Sequence, residues 1–190
     1  MAAAYPLFGR RRQLSWGATE RASADGVWSW IAQLGQGKGG FYSYDLLENL
    51  VGCDIHSADR IVPEWQHVEV GDEIRLAPGI ALVVAAAEPG RSLVLRGAVP
   101  LARSTAPYDF TWAFALRDGP AGTTRLLVRE RYAYARSWAR LIVEPTQPLS
   151  FVMSQKMLRG IRDRAERGPA CGGSASRLRP PTDAVVSGAA

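Results

Sequence analysis

One segment of this sequence restricts the possible folds more than any other, because its large side chains alternate with smaller ones. From Tyr108 to Leu116, one set of alternate positions holds Phe110, Trp112, Phe114 and Leu116. The other set holds Thr111, Ala113, Ala115 and, just beyond, Arg117. An alternation with a period of two places the two sets on opposite faces of a β-strand. The aromatic face is therefore predicted to point into the protein.

A second strand follows the turn-forming residues 118–122, so the two strands are predicted to form a hairpin. From Thr123 to Tyr134, one face carries Leu126, Val128 and Tyr132, and the other carries Arg125, Leu127, Arg129 and Arg131. Glu130 falls on the apolar face. Burial there would raise the pKa of its carboxyl unless a partner such as an arginine compensated. A β-bulge that turned Glu130 outward is the alternative.

Other segments extend this hairpin into an antiparallel meander. Residues 73–76, 80–87 and 92–97 have strand patterns separated by Pro, Gly and Asp breaks. Residues 14–20 are predicted to form a weaker strand at the edge.

Helices are predicted on either side of the meander. Ser23 is the candidate N-cap of a first helix, which must stop at the glycine-rich residues 35–40. Residues 46–51 suggest a short helix, and residues 61–65 a loop or helical turn. A long amphipathic helix follows Pro145 and Pro148, with an apolar residue at every fourth position: Leu149, Met153, Met157, Ile161 and Ala165.

The order of these elements resembles the START-like superfamily, also called SRPBCC, which includes polyketide cyclase/dehydrase-like and lipid-transport proteins. Residues 27–35 (VWSWIAQLG), 39–45 (GGFYSYD) and 61–66 (IVPEWQ) are similar to the signature of one uncharacterised bacterial subgroup. The similarity continues through residues 70–72, 93–95, 125–129 and 157–162. The resemblance implies an α+β helix-grip fold, in which a curved antiparallel sheet wraps around a long C-terminal helix, with small helices after the first helix.

The chain is long enough for one sizeable core, since 47% of its 190 residues are hydrophobic. We expect one domain over residues 14–167, with disordered segments at 1–13 and 168–190. No segment approaches the roughly 20 apolar residues that span a bilayer, and no secretory signal follows Arg10, Arg11 and Arg12. The expected location is the cytoplasm.

Charge and cysteine content exclude several classes of function. The net charge is +5, but many basic residues alternate with acidic ones in the last helix, as on a solvated surface. Nucleic-acid binding is therefore not expected. Attraction to an acidic partner is an alternative to a simple solvated surface, and the sequence favours it less. The two cysteines and two histidines have no metal-site spacing, so no metal or cofactor is expected. The oligomeric state stays open.

The resemblance implies a hydrophobic cavity between sheet and helix, and the superfamily includes both enzymes and non-catalytic carriers. We predict binding of a small hydrophobic or amphipathic ligand by Tyr42, Tyr44, Trp65, Phe110, Trp112, Phe114, Val128, Tyr132, Met153 and Met157. The aromatic side chains near position 42 could equally belong to the hydrophobic core. The alternative is a cyclase- or hydrolase-like enzyme, with Glu130 or His56 transferring protons. Capping and salt bridges are the structural explanation for the titratable residues around His56.

Overall fold

The computed structural model describes residues 11–44, 49, 56–97 and 107–167. Its strands form one antiparallel sheet in the order β1-β6-β5-β4-β3-β2. The strands are β1 (Arg11–Glu20), β2 (Glu73–Ala77), β3 (Ile80–Glu88), β4 (Ser92–Gly97), β5 (Tyr108–Asp118) and β6 (Thr124–Tyr134). Helix α1 spans Ala24–Ala32 and helix α2 spans Ala139–Arg167, and short 3-10 turns cover Pro63–Trp65 and Pro120–Gly122.

The sheet is curved, and its central hairpin has the predicted register. In the β5–β6 pair, Trp112 lies directly opposite Glu130 and Phe110 opposite Tyr132. The register shifts once between β2 and β3 and once between β3 and β4. Such irregularities bend the bulged strand. The predicted α+β architecture of a curved antiparallel sheet and a long C-terminal helix is confirmed.

The first helix also begins as predicted. The Ser23 side chain accepts a hydrogen bond from the backbone N–H of Gly26 at 3.2 Å, which satisfies one unpaired donor of the first turn. The helix is followed by Gly35, whose φ of 124° favours glycine over other residues.

Strand β1 differs from its prediction, because it begins at Arg11 rather than at residue 14. Its ten residues pair continuously with β6, from Arg11 opposite Ala133 to Glu20 opposite Thr124. The ladder supplies backbone hydrogen bonds that the weak side-chain pattern did not indicate. The expectation of disorder over residues 1–13 is wrong for residues 11–13, which belong to β1. Residues 1–10 and 168–190 lie outside the described residues, as does most of the predicted helix at 46–51.

Helix α2 begins ten residues before its predicted start, so Pro145 and Pro148 lie inside the helix rather than before it. Each proline lacks a backbone N–H and so removes one helical hydrogen bond. Packing offsets this loss, since Ala139 and Val143 form a small buried cluster with Tyr108 and Tyr134. Tertiary burial has therefore extended the helix past its prolines.

Farther along α2, the helix touches the backbone of the loop after α1. A Cβ atom added to Gly160 would collide with the carbonyl oxygen of Tyr42. Tyr42 itself has a φ of 55° and donates a hydrogen bond from its hydroxyl to the carbonyl of Trp30 at 3.1 Å. This contact fixes the C-terminal half of α2 against the main core.

No helix among the described residues combines the length and apolar character needed to cross a membrane.

Candidate functional site

A cavity of about 340 Å³ lies between the inner face of the sheet and α2. Its volume falls within the range of small-molecule sites in proteins. Most of its lining is apolar or aromatic. The sheet and the loop after α1 supply Phe41, Ser43, Leu76, Tyr108, Phe110, Trp112, Glu130 and Tyr132, and α2 supplies Thr146, Leu149, Ser150, Met153, Ser154 and Met157.

Glu130 reaches this cavity from the middle of β6, with its side chain only 3% exposed. Three hydroxyl groups contact its carboxylate. The hydroxyl of Tyr132 lies 3.1 Å from Oε2, that of Ser154 lies 3.1 Å from Oε1, and that of Ser150 lies within 3.2 Å of both oxygens. The carboxyl group is thus held in place by β6 and α2 together.

The electrostatics of this group follow from its burial. Removal from water raises the pKa of the Glu130 carboxyl, and the hydroxyls of Ser150, Ser154 and Tyr132 partly oppose the rise because they stabilise the charged form. Burial also raises the pKa of the Tyr132 phenol, and the negative charge of Glu130 raises it further. Tyr132 therefore stays a neutral hydrogen-bond donor.

Trp112 forms the aromatic wall of the cavity on β5. Its ring centroid lies 4.9 Å from that of Phe114, 6.0 Å from that of Phe41 and 6.5 Å from that of Phe110. Its indole Nε1 is buried, and no described residue accepts a hydrogen bond from it. The indole ring thus lines the cavity while its N–H is enclosed by the protein.

The structure brings together six of the residues predicted for the site. They line one cavity and are Phe110, Trp112, Glu130, Tyr132, Met153 and Met157. The inward orientation of Glu130 agrees with the alternation along β6, and the alternative, a bulge that turns Glu130 outward, is not seen at this position.

The other predicted ligand-binding residues lie elsewhere. Phe114 and Val128 belong to the main core, and Tyr42 packs edge-on against Trp30. Tyr44 is 39% exposed, with the ammonium group of Lys156 5.8 Å from its ring centroid. Trp65 ends the 3-10 turn that begins at Pro63. None of these five side chains lines the cavity; within residues 41–44 it is Phe41 and Ser43 that line it.

His56 does not line the cavity that holds Glu130. It borders a separate depression with Lys38 and Arg75. The glycine-rich loop is a closed turn, in which the backbone N–H groups of Gly35 and Gly40 each donate to the other residue's carbonyl at 3.0 and 3.1 Å. Over the described parts of the chain, no group of histidine, cysteine and acidic side chains could hold a metal ion.

Sequence reasoning missed the hydroxyl groups that surround Glu130. Ser150 and Ser154 lie four residues apart on α2, and Met153 and Met157 lie on the same side of the helix. Serines spaced with the apolar residues of an amphipathic helix could have indicated a polar position in the cavity. Tyr108, Leu76 and Thr146 complete the lining that was not predicted.

Of the comparisons with known proteins, the one with solved structures finds matches. No protein-family model matches the chain, and no curated protein matches it. The structure of Ara h 8.0201 aligns with a TM-score of 0.53 and 8% identity, covering 84% of this chain and 100% of that chain. A protein from Nitrosospira multiformis aligns with a TM-score of 0.51 and 15% identity, covering 80% and 94%. Truncated norcoclaurine synthase from Thalictrum flavum aligns with a TM-score of 0.46 and 14% identity, covering 82% and 96%.

Identities this low show a shared fold and nothing about a shared activity. The chain has a helix-grip fold, as the resemblance in its sequence predicts. The resemblance to one bacterial subgroup stays a prediction.

Proposed function

We propose that this protein binds a small hydrophobic or amphipathic molecule in the cavity between the sheet and α2. The observation that carries the proposal is the cavity itself, which has a volume of about 340 Å³ and a mainly aromatic and aliphatic lining. Transfer of apolar surface from water into such a site contributes roughly 25 cal/mol per Å². Burial would supply most of the affinity, and a few polar groups would orient the ligand.

One polar group is placed to give that orientation. The carboxyl of Glu130 lines the cavity and is surrounded by hydroxyls. Trp112 lies directly opposite Glu130 on the neighbouring strand, so one ligand can contact both side chains, with the indole ring supplying apolar surface.

A substitution that fills the cavity tests this proposal. Met153 lines the cavity, whereas its neighbour Val152 is 47% exposed on the outside of α2. We expect Met153→Trp to weaken binding of Nile red, a neutral apolar dye, by about tenfold or more, because the indole occupies the ligand's space. Binding is measured as the increase in dye fluorescence.

Val152→Trp is the matched control, because it adds the same ring to the same helix but outside the cavity. It should change the dye's dissociation constant by no more than about twofold. Circular dichroism confirms that both variants are folded. Equal weakening by the two substitutions, or none by Met153→Trp in a folded protein, would contradict binding in the cavity.

Proton transfer by Glu130 is a second candidate function. The observation in its favour is a buried carboxyl with a raised pKa that lines an apolar cavity. As a base, its carboxylate would take a proton from a carbon next to a ligand carbonyl while the electron pair moves to the carbonyl oxygen.

Deuterium exchange tests this candidate without knowledge of the natural substrate. In heavy water, the protein should speed the incorporation of deuterium into phenylacetone, and mass spectrometry measures the rate. We expect Glu130→Gln to lower the catalysed rate by about a hundredfold or more, since the amide cannot accept the proton. His56→Gln should leave the rate unchanged. No exchange above that of buffer would count against catalysis.

The cytoplasmic location and the absence of a nucleic-acid partner, metal or cofactor stay predictions from the sequence. Binding of a lipid is one form of the proposed function.

A further inference from the structure

The cavity has an unusual distribution of charge. Among the described residues that line it, Glu130 is the only member of the set Asp, Glu, Lys, Arg and His. The groups that contact its carboxylate are neutral hydroxyls on β6 and α2. An ionised Glu130 therefore has no countercharge from the described wall of the cavity.

The carboxylate also has room for one more donor. Its two oxygens offer about four lone-pair positions. Tyr132, Ser150 and Ser154 each have a single hydroxyl proton to donate, so together they occupy three of these positions. One position is left for an N–H group of a ligand.

Aromatic rings surround the same part of the cavity. Trp112 lies opposite Glu130 across the β5–β6 pair, and Phe110 and Tyr132 have ring centroids 4.9 Å apart. Tyr108 lies beyond, 6.0 Å from Tyr132. The negative faces of aromatic rings attract cations, most strongly where water is excluded. The aromatic rings and the Glu130 carboxylate thus both favour a ligand group with a positive charge.

We infer that the cavity selects apolar molecules that carry a protonated amine, with Glu130 as the countercharge and the rings of β5 and β6 around the ammonium group. An apolar carboxylic acid is disfavoured, because its carboxylate would lie near that of Glu130 without a basic residue to separate them. This inference rests on the proposed function and adds the chemical class of the ligand.

Three probes with the same alkyl chain test the selection. Decylamine, decanol and decanoic acid are titrated into the full chain at pH 8 by isothermal titration calorimetry. We expect decylamine to bind at least about tenfold more tightly than decanol, because a charged hydrogen-bonding pair in a cavity is stronger than a neutral one. Decanoic acid should bind more weakly than decanol.

Glu130→Gln keeps the shape of the side chain and removes its charge. In this variant decylamine should lose its advantage of about tenfold over decanol. The ratio of the two affinities isolates the charge, because any change that the substitution makes to the shape or polarity of the cavity acts on both ligands. If wild-type protein binds decylamine no more tightly than decanol, the inference is overturned while the proposed function stands.

The pH dependence gives an independent readout. An alkylamine stays protonated below about pH 10, so only the protein titrates over a lower range. The groups facing Glu130 are the phenol of Tyr132 on β6, the indole of Trp112 on β5, and the hydroxyls of Ser150 and Ser154 on α2. Because burial raises the pKa of Glu130, decylamine should bind more weakly as the pH falls and the carboxylate becomes protonated. Decanol binding should be nearly constant.

An unchanged amine affinity would contradict the role of Glu130. Failure of all three probes and of Nile red to bind would overturn the proposed function as well.

Discussion

Replacement of Phe114 by alanine is expected to lower the free energy of unfolding by about 3–5 kcal/mol, the usual cost of removing a fully buried phenylalanine side chain. Phe114 is 1% exposed and belongs to the main core. Phe110, four residues earlier on the same face of β5, is only partly buried and lines the cavity. Phe110→Ala should therefore cost less stability and weaken Nile red binding more.

Urea unfolding and dye titration of the two variants provide the comparison. The expected result is a crossed pattern, with the larger stability loss in Phe114→Ala and the larger affinity loss, about tenfold, in Phe110→Ala. Affinity for Phe114→Ala is measured at a temperature where the variant stays folded. Equal effects of the two substitutions on both quantities would mean that core and cavity are not separate along β5.

The free energy of unfolding is expected to fall by about 2 kcal/mol between pH 5 and pH 8, because of Glu20 at the end of β1. Its side chain is 0% exposed, and neither carboxylate oxygen has a hydrogen-bond partner among the described residues. Burial raises the pKa of Glu20 to about 7; Arg162 opposes the rise, and Glu166 and Asp163 add to it.

The direction of the pH effect follows from this raised pKa. Below a pH of about 4.5, Glu20 is protonated in both the folded and the unfolded chain. As the pH rises through about 7, the unfolded chain has already lost this proton, and the folded chain must lose it from a buried site. Ionisation therefore destabilises the folded protein. Glu130 acts in the same direction, since its pKa is also raised.

Glu20→Gln should remove the part of the fall that is centred near pH 7, so that the variant is more stable than wild type at pH 8 and similar to it at pH 5. Urea denaturation at several pH values measures the difference. Glu88→Gln, at an exposed position on β3, is the matched control and should leave the pH profile unchanged. A constant difference between Glu20→Gln and wild type at all pH values would contradict this account.

Much of the fold could be predicted because local pattern and burial agree. The alternation along β5 and β6 predicts which side chains point inward. It places Glu130 on the inner face of a hairpin, as the structure does. The first helix was equally predictable, since Ser23 and Gly35 supply strong local signals at its two ends.

The parts that escaped prediction depend on distant residues. Proline at positions 145 and 148 argues locally against a helix, and only the packing of Ala139 and Val143 on the sheet explains why α2 continues through them. The sequence predicts Tyr42 as a ligand contact because it lies in an aromatic patch and its phenol could supply a polar contact. Its burial results from contacts with Trp30 and the backbone at Gly160, which alternation and composition do not show.

The close approach of Gly160 to Tyr42 makes the two ends of the cavity different. Phe41 and Met157 line the cavity beside this contact, where helix and loop meet backbone to backbone. At the other end, Thr146 and Leu149 line the cavity and are themselves exposed, Leu149 to 57%. From this exposure we expect a ligand to enter beside the two prolines of α2 and to meet the buried contact at Gly160 at the opposite end. A ligand entering there would pass Ser150 and Glu130 first, so the length of its apolar chain beyond the polar group would be limited by the distance from Glu130 to Gly160.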